Sequence, residues 1–169
     1  STLQRTRAMM ERQVQQLVRL VDDLLDVSRV TRGKIELRTE KVELAGVIAR
    51  AVETVQPLID VQGHRLHLSI PNESTLVEAD PVRLAQVLAN LLTNAAKYTE
   101  AKGEIWILVR RGHGDQVEVT VRDNGIGIAP NMLPRIFELF MQVDPTSTKA
   151  QGGLGIGLTL AKNLVDMHG

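Results

Sequence analysis

The first thirty residues place apolar side chains at the spacing of one long helix. Apolar residues follow one another in steps of four and three at Met10, Val14, Leu17, Val21 and Leu24. This spacing puts them on one seam of a helix, and Gly33 is a suitable C-cap for it. Further apolar positions widen the seam beyond a two-stranded coiled coil, so the pattern favours packing in a helical bundle. The alternative is a surface helix that packs on its own domain.

Further helices are predicted beyond Gly33. Helical spacing of apolar residues places them at 44–61, 80–98, 132–140 and 156–167. Pro57 lies inside the first of these and predicts a kink or a restart there. Asp80 and Pro81 give the second a strong start, because an acidic N-cap is followed by proline at the first helical position. Residues 144–155 are polar and glycine-rich, which is typical of a mobile loop.

Strands are predicted between these helices. Ile35 and Leu37 alternate with charged residues and indicate a short strand. Similar patterns indicate strands at 64–70, 76–77, 104–111 and 116–122, and a hairpin turn joins the last two. This mixture favours an α+β fold, a two-layer α/β sandwich, over a doubly wound parallel sheet. The predicted sheet has few strands.

Composition narrows the classes of function. Twenty basic and twenty acidic side chains cancel, and a neutral chain argues against non-specific binding to nucleic acid or to an acidic membrane surface. The absence of cysteine excludes a disulfide framework and a thiolate metal site. No apolar run approaches the ~18 residues of a membrane span. The chain begins with Ser1 rather than Met, so we expect a piece of a longer protein.

The first segment that could carry chemistry is NLLTNAAKYT, residues 90–99, on a predicted helix. Asn90 and Asn94 are four residues apart and share one helix face, and Lys97 lies within a turn of Asn94 on that side. Carboxamide oxygens suit a hard ion such as Mg²⁺, and the ammonium group suits phosphate. The alternative is an ordinary solvated face.

The second segment is DNGIGI, residues 123–128, directly after a predicted strand. Its glycines permit close approach of the backbone, and Asp123 can accept a hydrogen bond from an exocyclic amine such as that of adenine. The alternative is a plain Asp-Asn-Gly turn.

The third segment is QGGLGIGL, residues 151–158, which leads into the last predicted helix. Consecutive N–H groups at a helix N-terminus attract phosphate. It is neither a dinucleotide fingerprint, because no strand precedes it, nor a P-loop, because the GxxxxGK[ST] pattern is missing. The alternative is a flexible hinge.

The three segments follow one another within about seventy residues. Together they resemble the ATP-binding region of the histidine kinase, gyrase, heat-shock chaperone and mismatch-repair superfamily. The strings KYT, IFELF and GGLGIGL resemble those of sensor histidine kinases of two-component systems, and DDLLDVSRV at 22–30 resembles the second helix of their dimerisation domain. The resemblance covers essentially the whole chain. It implies a Bergerat-type ATP-binding fold at 33–169, preceded by a dimerisation helix at 1–32.

The resemblance also implies roles for individual residues. Asn94 matches the Mg²⁺ ligand, Lys97 is expected to meet phosphate oxygens, and Asp123 matches the aspartate that recognises the adenine amino group. Residues 144–152 are expected to form a lid over the triphosphate. Phe137 and Phe140 would anchor the lid, with core packing as the alternative. The full expected ATP-binding set is Asn90, Asn94, Lys97, Tyr98, Asp123, Gly125, Gly127, Ile128, Phe137, Phe140, Lys149, Gly153, Leu154, Gly155, Gly157 and Leu158.

Three features depart from this family pattern. An acidic residue follows the family's phosphorylated histidine, and none of the four histidines here has one, so we expect ATP binding without self-phosphorylation. Gln142 stands where many relatives have arginine, so Lys149 is the expected lid cation. The family's last hairpin is missing, so we expect a truncated catalytic domain or a sheet edge covered by another chain.

The resemblance implies an ATP- and Mg²⁺-dependent protein-histidine kinase. The phosphoryl group would pass to a histidine on a dimerisation helix and then to a response-regulator aspartate. Expected partners are a second copy of the chain, bound through the N-terminal helix, and a receiver domain. No binding to nucleic acid and no direct contact with a membrane are expected. The expected location is the cytoplasm. Two alternatives stay open: a non-catalytic interaction module with a vestigial nucleotide site, and a gyrase-type or chaperone ATPase.

Overall fold

The computed structural model describes residues 2–33, 35–141 and 154–169. The order of elements is α1 (Thr2–Thr31), β1 (Glu40–Glu43), α2 (Leu44–Gln62), β2 (Arg65–Ser69), β3 (Leu76–Ala79), α3 (Pro81–Tyr98), β4 (Glu104–Arg111), β5 (Val117–Asp123) and α4 (Gly157–His168). A single turn of 3₁₀ helix, Leu133–Arg135, lies between β5 and α4. The described strands form two sheets.

The larger sheet has the strand order β2-β4-β5. β2 runs parallel to β4, a pairing that requires the long crossover through β3 and α3. β5 pairs antiparallel to β4 through the predicted hairpin, with Asp123 opposite Ile105. The smaller sheet is the antiparallel pair β1-β3, with Val42 opposite Val77.

The main core lies between the larger sheet and the helices α2 and α3. Side chains alternate along β4, so that Ile105, Ile107 and Val109 are buried against the helices while their neighbours face the other way. The helices contribute apolar side chains at helical spacing: Val47, Ile48, Ala51, Val55, Ile59, Leu88, Leu92 and Ala95. This arrangement confirms the expected α+β two-layer sandwich.

A second core joins the end of α1 to α3 and α4. Val27 of α1 and Val87 of α3 pack with Ile156 and with Leu160 and Leu164 of α4. The predicted seam of α1, from Met10 to Leu24, is exposed. Among the described side chains of α1, those in the second core lie at the C-terminal end of the helix, and the seam remains available to other helices.

Two predicted elements are wrong. Ile35 and Leu37 belong to no strand, and the strand begins instead at Glu40, because its position is set by pairing with β3 rather than by local alternation. The helix predicted at 132–140 is reduced to the 3₁₀ turn Leu133–Arg135. Phe140 adopts a φ of 63°, a left-handed conformation that no α-helix contains.

The remaining boundaries agree closely with the sequence patterns. α2 continues through Pro57 as one uninterrupted helix, so the restart predicted there does not occur. Gly33 has the left-handed φ of 63° expected of a helix C-cap. Most of the predicted loop at 144–155 lies outside the described residues. None of the helices in the described ranges combines the length and hydropathy that a membrane span requires.

Candidate functional site

Helix α3 is positioned by the side chain of Asp80. Its Oδ1 accepts hydrogen bonds from the backbone N–H groups of Val82 and Arg83 at 3.0 and 3.1 Å, and its Oδ2 accepts one from Arg38 at 3.0 Å. Burial raises the pKa of Asp80, but these three N–H donors and the charge of Arg83 outweigh burial and hold the pKa below its ordinary value. The N-cap predicted from the sequence is therefore confirmed.

Asn90 connects α3 to the start of α4. Its Nδ2 donates a hydrogen bond to the carbonyl oxygen of Gly157 at 3.3 Å. Asn94 follows one turn later on the same face and is half-buried. The predicted amide pair therefore lies beside the glycine segment that opens α4.

The N-terminus of α4 has the features of an anion site. Ile156, the residue before the helix, provides no side-chain hydrogen bond to the first turn. Within the described residues no side chain caps the backbone N–H groups of Gly157, Leu158 and Thr159, and a phosphate could accept hydrogen bonds from them.

Asp123 ends β5 on the face of the sheet that the helices cover, because it stands opposite the buried Ile105. Its Oδ1 accepts a hydrogen bond from the N–H of Gly125 at 2.8 Å. Within the described residues Oδ2 accepts no hydrogen bond. One carboxylate oxygen thus holds the turn in shape, and the other remains available to a ligand amine.

The turn after Asp123 lies directly against the end of α3. The N–H of Ile126 donates to the carbonyl oxygen of Tyr98 at 3.2 Å. A Cβ atom on Gly125 would lie 2.9 Å from the carbonyl carbon of Tyr98 and closer still to its oxygen, so only glycine fits. Lys97 is in the same last turn, with its Nζ 5.1 Å from the centre of the Tyr98 ring. Two of the predicted segments therefore meet here.

The segment 137–141 is tied to the beginning of α4. The N–H of Phe140 donates to the carbonyl oxygen of Gly155 at 3.1 Å, and the hydroxyl of Thr159 donates to the carbonyl oxygen of Phe137 at 2.8 Å. A Cβ atom on Gly155, whose φ is 69°, would lie 2.8 Å from the nitrogen of Met141. Phe137 and Phe140 are exposed, so neither packs in the described core.

Four further predicted site residues lie in the described ranges, and two lie outside them. Gly127 adopts a φ of 71°, as a tight turn requires. Ile128 and Leu154 are exposed apolar residues on segments that flank the site, and Leu158 is half-buried in the first turn of α4. Lys149 and Gly153 lie outside the described residues.

Sequence reasoning missed two polar contacts at the site. Asn124 exchanges hydrogen bonds with the backbone of Glu104, accepting at its Oδ1 at 2.8 Å and donating from its own N–H at 3.2 Å. This fixes the turn to the start of β4. The hydroxyl of Thr159 holds the segment that contains Phe137. Asn124 had a local signal in the Asp-Asn-Gly string, whereas Thr159 had none.

The residues present fit a bound magnesium nucleotide. No group of three or more carboxylate, histidine or cysteine side chains that could hold a metal ion occurs in the described ranges. The amide oxygen of Asn94 and the phosphate oxygens of a ligand are the kind of hard donors that would suit a cation such as Mg²⁺ here. Asp123 Oδ2, which accepts no hydrogen bond within the described residues, can accept one from an amine. The ammonium group in the last turn of α3 and the N–H groups at the start of α4 can donate hydrogen bonds to phosphate oxygens.

Comparison with known proteins finds one matching family and relatives that are histidine kinases. Residues 79–169 match the family of histidine kinase-, DNA gyrase B-, and HSP90-like ATPases. The chain is 37% identical over 156 residues to the circadian input-output histidine kinase CikA of Synechococcus elongatus, covering 90% of this chain and 20% of CikA. It is 32% identical over 168 residues to the sensor histidine kinase MtrB of Mycobacterium tuberculosis, covering 99% of this chain and 29% of MtrB.

Solved structures of histidine kinases are also similar to this chain. Full-length ShkA in complex with AMPPNP superposes with a TM-score of 0.81 at 30% identity, covering 98% of this chain and 34% of ShkA. The mycobacterial sensor histidine kinase MprB superposes with a TM-score of 0.67 at 26% identity, covering 77% of this chain and 80% of the MprB chain. The chain spans less than a third of the length of CikA or MtrB.

Proposed function

The chain belongs to the family of histidine kinase-, DNA gyrase B- and HSP90-like ATPases, and from this premise we propose that it is the ATP-binding catalytic part of a sensor histidine kinase. The γ-phosphoryl group of ATP would be transferred to a histidine on a dimerisation helix outside this chain, and from there to an aspartate of a response regulator. The observation that carries the proposal is the contact of the Asp123 turn with the last turn of α3, while Asn90 of the same helix bonds the start of α4.

The chain's own residues would hold the nucleotide from three sides. Asp123 Oδ2 accepts the adenine amino group, Gly125 and Gly127 let the backbone approach the base, and Tyr98 lies beside it. Asn94 provides an amide oxygen to Mg²⁺, with Asn90 next to it, and Lys97 and the first N–H groups of α4 neutralise phosphate charge. Gly153 and Lys149 belong to this proposal through the family pattern alone.

Catalysis in this arrangement consists of positioning and charge neutralisation. When bound, magnesium-ATP supplies the transferable phosphoryl group and the metal charge. The residues of this chain hold the phosphates in the orientation that transfer to the acceptor histidine requires. The reaction needs no nucleophile from this chain. Discrimination against GTP follows from Asp123, because guanine presents a carbonyl where adenine presents the amine and would leave the carboxylate unpaired.

The surroundings of the four histidines support a phosphoryl acceptor that lies outside this chain. His64 is buried, with its Nε2 bonded to the carbonyl oxygen of Ala96 at 2.9 Å. His168 donates from Nδ1 to Leu164 at 2.7 Å and accepts at Nε2 from the N–H of Asp80 at 3.1 Å. His67 stacks on Trp106. His113 belongs to the exposed hairpin turn.

The proposal divides the chain into two parts. Residues 1–32 are the second helix of a dimerisation domain, and residues 33–169 are the ATP-binding domain. The exposed apolar seam of α1 supports a homodimer, because an apolar stripe of this length is normally covered by other helices. The receiver-domain partner and a cytoplasmic location are part of the same proposal.

Phosphoryl transfer to a supplied acceptor tests this function. The chain is incubated with γ-labelled ATP, Mg²⁺ and a separate helical protein that carries the family's acceptor histidine. We expect acid-labile label on the acceptor and none on this chain. At an ATP concentration below the dissociation constant of the parent chain, the label should fall by about tenfold or more with Asp123→Asn. It should stay unchanged with Asp115→Asn, a matched change in the exposed hairpin. Label that Asp123→Asn does not reduce would contradict the proposal.

The second candidate is a non-catalytic interaction module with a vestigial nucleotide site. The relatives and the solved structures described above are histidine kinases, so the comparisons do not favour this candidate. Nucleotide binding without transfer to any histidine acceptor, together with tight self-association, would support this candidate against the kinase.

A further inference from the structure

His64 is a buried polar side chain that follows the end of α2. Gly63 has a φ of 66°, and its N–H donates to the carbonyl oxygen of Asp60 at 3.0 Å. The N–H of His64 donates to the carbonyl oxygen of Ile59 at 3.0 Å. These two hydrogen bonds form a Schellman motif, in which an apolar residue frequently follows the glycine and packs back on the helix. Here a histidine that is only 7% exposed follows it instead.

The side chain of His64 contacts the C-terminal end of α3. Its Nε2 lies 2.9 Å from the carbonyl oxygen of Ala96, and because a carbonyl oxygen can only accept, Nε2 must carry a proton. Nδ1 is buried and has no hydrogen-bond partner within the described residues. A leucine would fill this space without burying an unpaired polar atom, so packing alone does not explain a histidine at this position.

The last turn of α3 receives hydrogen bonds from other parts of the chain. The final carbonyl groups of a helix have no partner within it, and a left-handed glycine frequently completes the cap. α3 ends without such a glycine, because its C-cap, Thr99, is extended at a φ of −87° and a ψ of 140°. The carbonyl oxygen of Ala96 is bonded to His64 instead. That of Tyr98 accepts from the N–H of Ile126 at 3.2 Å, so two separate segments hold this turn.

The turn that His64 holds carries a proposed phosphate contact. Lys97 directly follows Ala96 in the sequence. The junction around His64 is itself fixed to the loop after α3, because the N–H of Arg65 donates to the carbonyl oxygen of Gly103 at 2.9 Å. A displacement of the Ala96 carbonyl group would therefore move Lys97 relative to the start of α4, the other group of donors proposed for phosphate.

We propose that His64 is a positioning residue for nucleotide binding. Its Nε2–H group holds the carbonyl group of Ala96 and thereby places Lys97 against the phosphates of the ligand. The inference rests on the proposed function and deepens it, since it concerns the same site. His64 acts through the backbone of α3 rather than on the nucleotide itself.

Substitutions of His64 separate the hydrogen bond from the packing. The amide nitrogen of His64→Gln reaches about as far as Nε2 and can donate to Ala96, whereas the shorter amide of His64→Asn cannot, and His64→Leu has no donor. In a titration of folded chain with fluorescent ATP and Mg²⁺, His64→Gln should bind within about twofold of the parent value, and His64→Asn and His64→Leu should bind about fivefold more weakly or worse. The control His113→Leu removes an exposed histidine and should bind like the parent chain.

A double-mutant cycle tests whether His64 acts through Lys97. Residues that act through one another give non-additive free energies. His64→Asn combined with Lys97→Met should therefore weaken ATP binding by less than the product of the two single losses, because a displaced Lys97 contributes less to affinity. His113→Leu combined with Lys97→Met should give the product of its single losses.

The protonation of the imidazole gives an independent signature of the contact. Nitrogen-15 NMR of the parent chain distinguishes a ring nitrogen that carries a proton from one that does not. We expect the Nε2 of His64 to carry a proton, and a bare Nε2 would overturn the inference.

The remaining outcomes separate this role from the proposed function. Equal ATP affinity in the folded parent, His64→Asn and His64→Leu chains would overturn the inference and leave the proposed function standing. A loss in His64→Gln as large as that in His64→Leu, or the full product of losses with Lys97→Met, would overturn it as well. Should His64→Leu fail to fold, the comparison of His64→Gln with His64→Asn decides by the same criterion.

Two further results would also count against His64. If His64→Asn and His64→Leu both fail to fold, as judged by circular dichroism, the bond serves folding rather than the site, and the positioning role is overturned. Absence of ATP binding in the parent chain would contradict the proposed function and this role together, before any variant is compared.

Discussion

Gly125→Ala perturbs the contact between the Asp123 turn and α3. The added Cβ would lie 2.8 Å from Asp123 Oδ1 and 2.9 Å from the carbonyl carbon of Tyr98. Non-bonded carbon contacts normally lie at about 3.5–4.0 Å, so the turn must move by roughly 1 Å. Both the backbone of Tyr98 and the Asp123 side chain are fixed by hydrogen bonds, and a rotamer change cannot relieve the clash.

Two energetic consequences follow from this displacement. Overpacking costs about 1–3 kcal/mol, and weakening the hydrogen bonds at Gly125 and Ile126 adds about 0.5–1.5 kcal/mol each. We therefore expect the free energy of unfolding to fall by about 2–6 kcal/mol. The displaced Asp123 also loses a hydrogen bond from adenine worth about 1.5–3 kcal/mol, which weakens ATP binding by about tenfold or more.

Urea unfolding and titration with fluorescent ATP measure these two effects, and two glycines provide controls. Gly46→Ala, with no heavy atom within 4 Å of the added Cβ, should stabilise α2 by up to about 1 kcal/mol. Gly114→Ala, at a φ of 65° in the hairpin, should cost about 1–2 kcal/mol without changing ATP affinity. A folded Gly125→Ala chain that binds ATP like the parent would refute this reasoning.

Three further predictions address the second core, the cap of α3 and the seam of α1. Leu164→Ala removes a fully buried side chain, so the free energy of unfolding measured in urea should fall by about 2–5 kcal/mol. The control Val165→Ala changes the neighbouring side chain, which is 49% exposed, and should cost at most about 0.5 kcal/mol. Equal losses in the two variants would show that this core is not formed. Because the folded pKa of Asp80 lies below its unfolded value, its carboxylate stabilises the fold above that unfolded value. This stability is lost as the pH falls through the folded pKa. Asp80→Asn should flatten the acid limb of a stability–pH curve, and an unchanged curve would contradict the capping role. Leu17→Glu places a charge on the exposed seam and should shift sedimentation towards the monomer, whereas an unchanged sedimentation coefficient would contradict association through α1.

The parts that the sequence predicts best are those with strong local signals. Asp80 and Pro81 mark the start of α3 because a cap and a fixed φ act within one turn. The DNGIG string lies where a strand ends against a helix, and the requirement for glycine at position 125 follows from that close approach. The proximity of the three motif segments came from the family resemblance, since no local pattern encodes it.

The errors arise where distant partners decide the local structure. β1 is placed at Glu40–Glu43 by its pairing with β3, so alternation at Ile35 and Leu37 was misleading. The segment before Phe140 does not stay helical because Phe140 and Gly155 approach each other closely. The Asp26–Arg83 ion pair joins residues 57 positions apart, and no periodic pattern could reveal it.

The most direct test of the account is a calorimetric titration of ATP and GTP, with and without Mg²⁺. The chain should bind ATP more tightly with Mg²⁺ and should discriminate against GTP. Asp123→Asn should weaken ATP binding by about tenfold or more, and Asn94→Ala should abolish the dependence on Mg²⁺. ATP binding that is identical in the parent chain and in both variants would contradict a magnesium nucleotide held between α3 and the Asp123 turn.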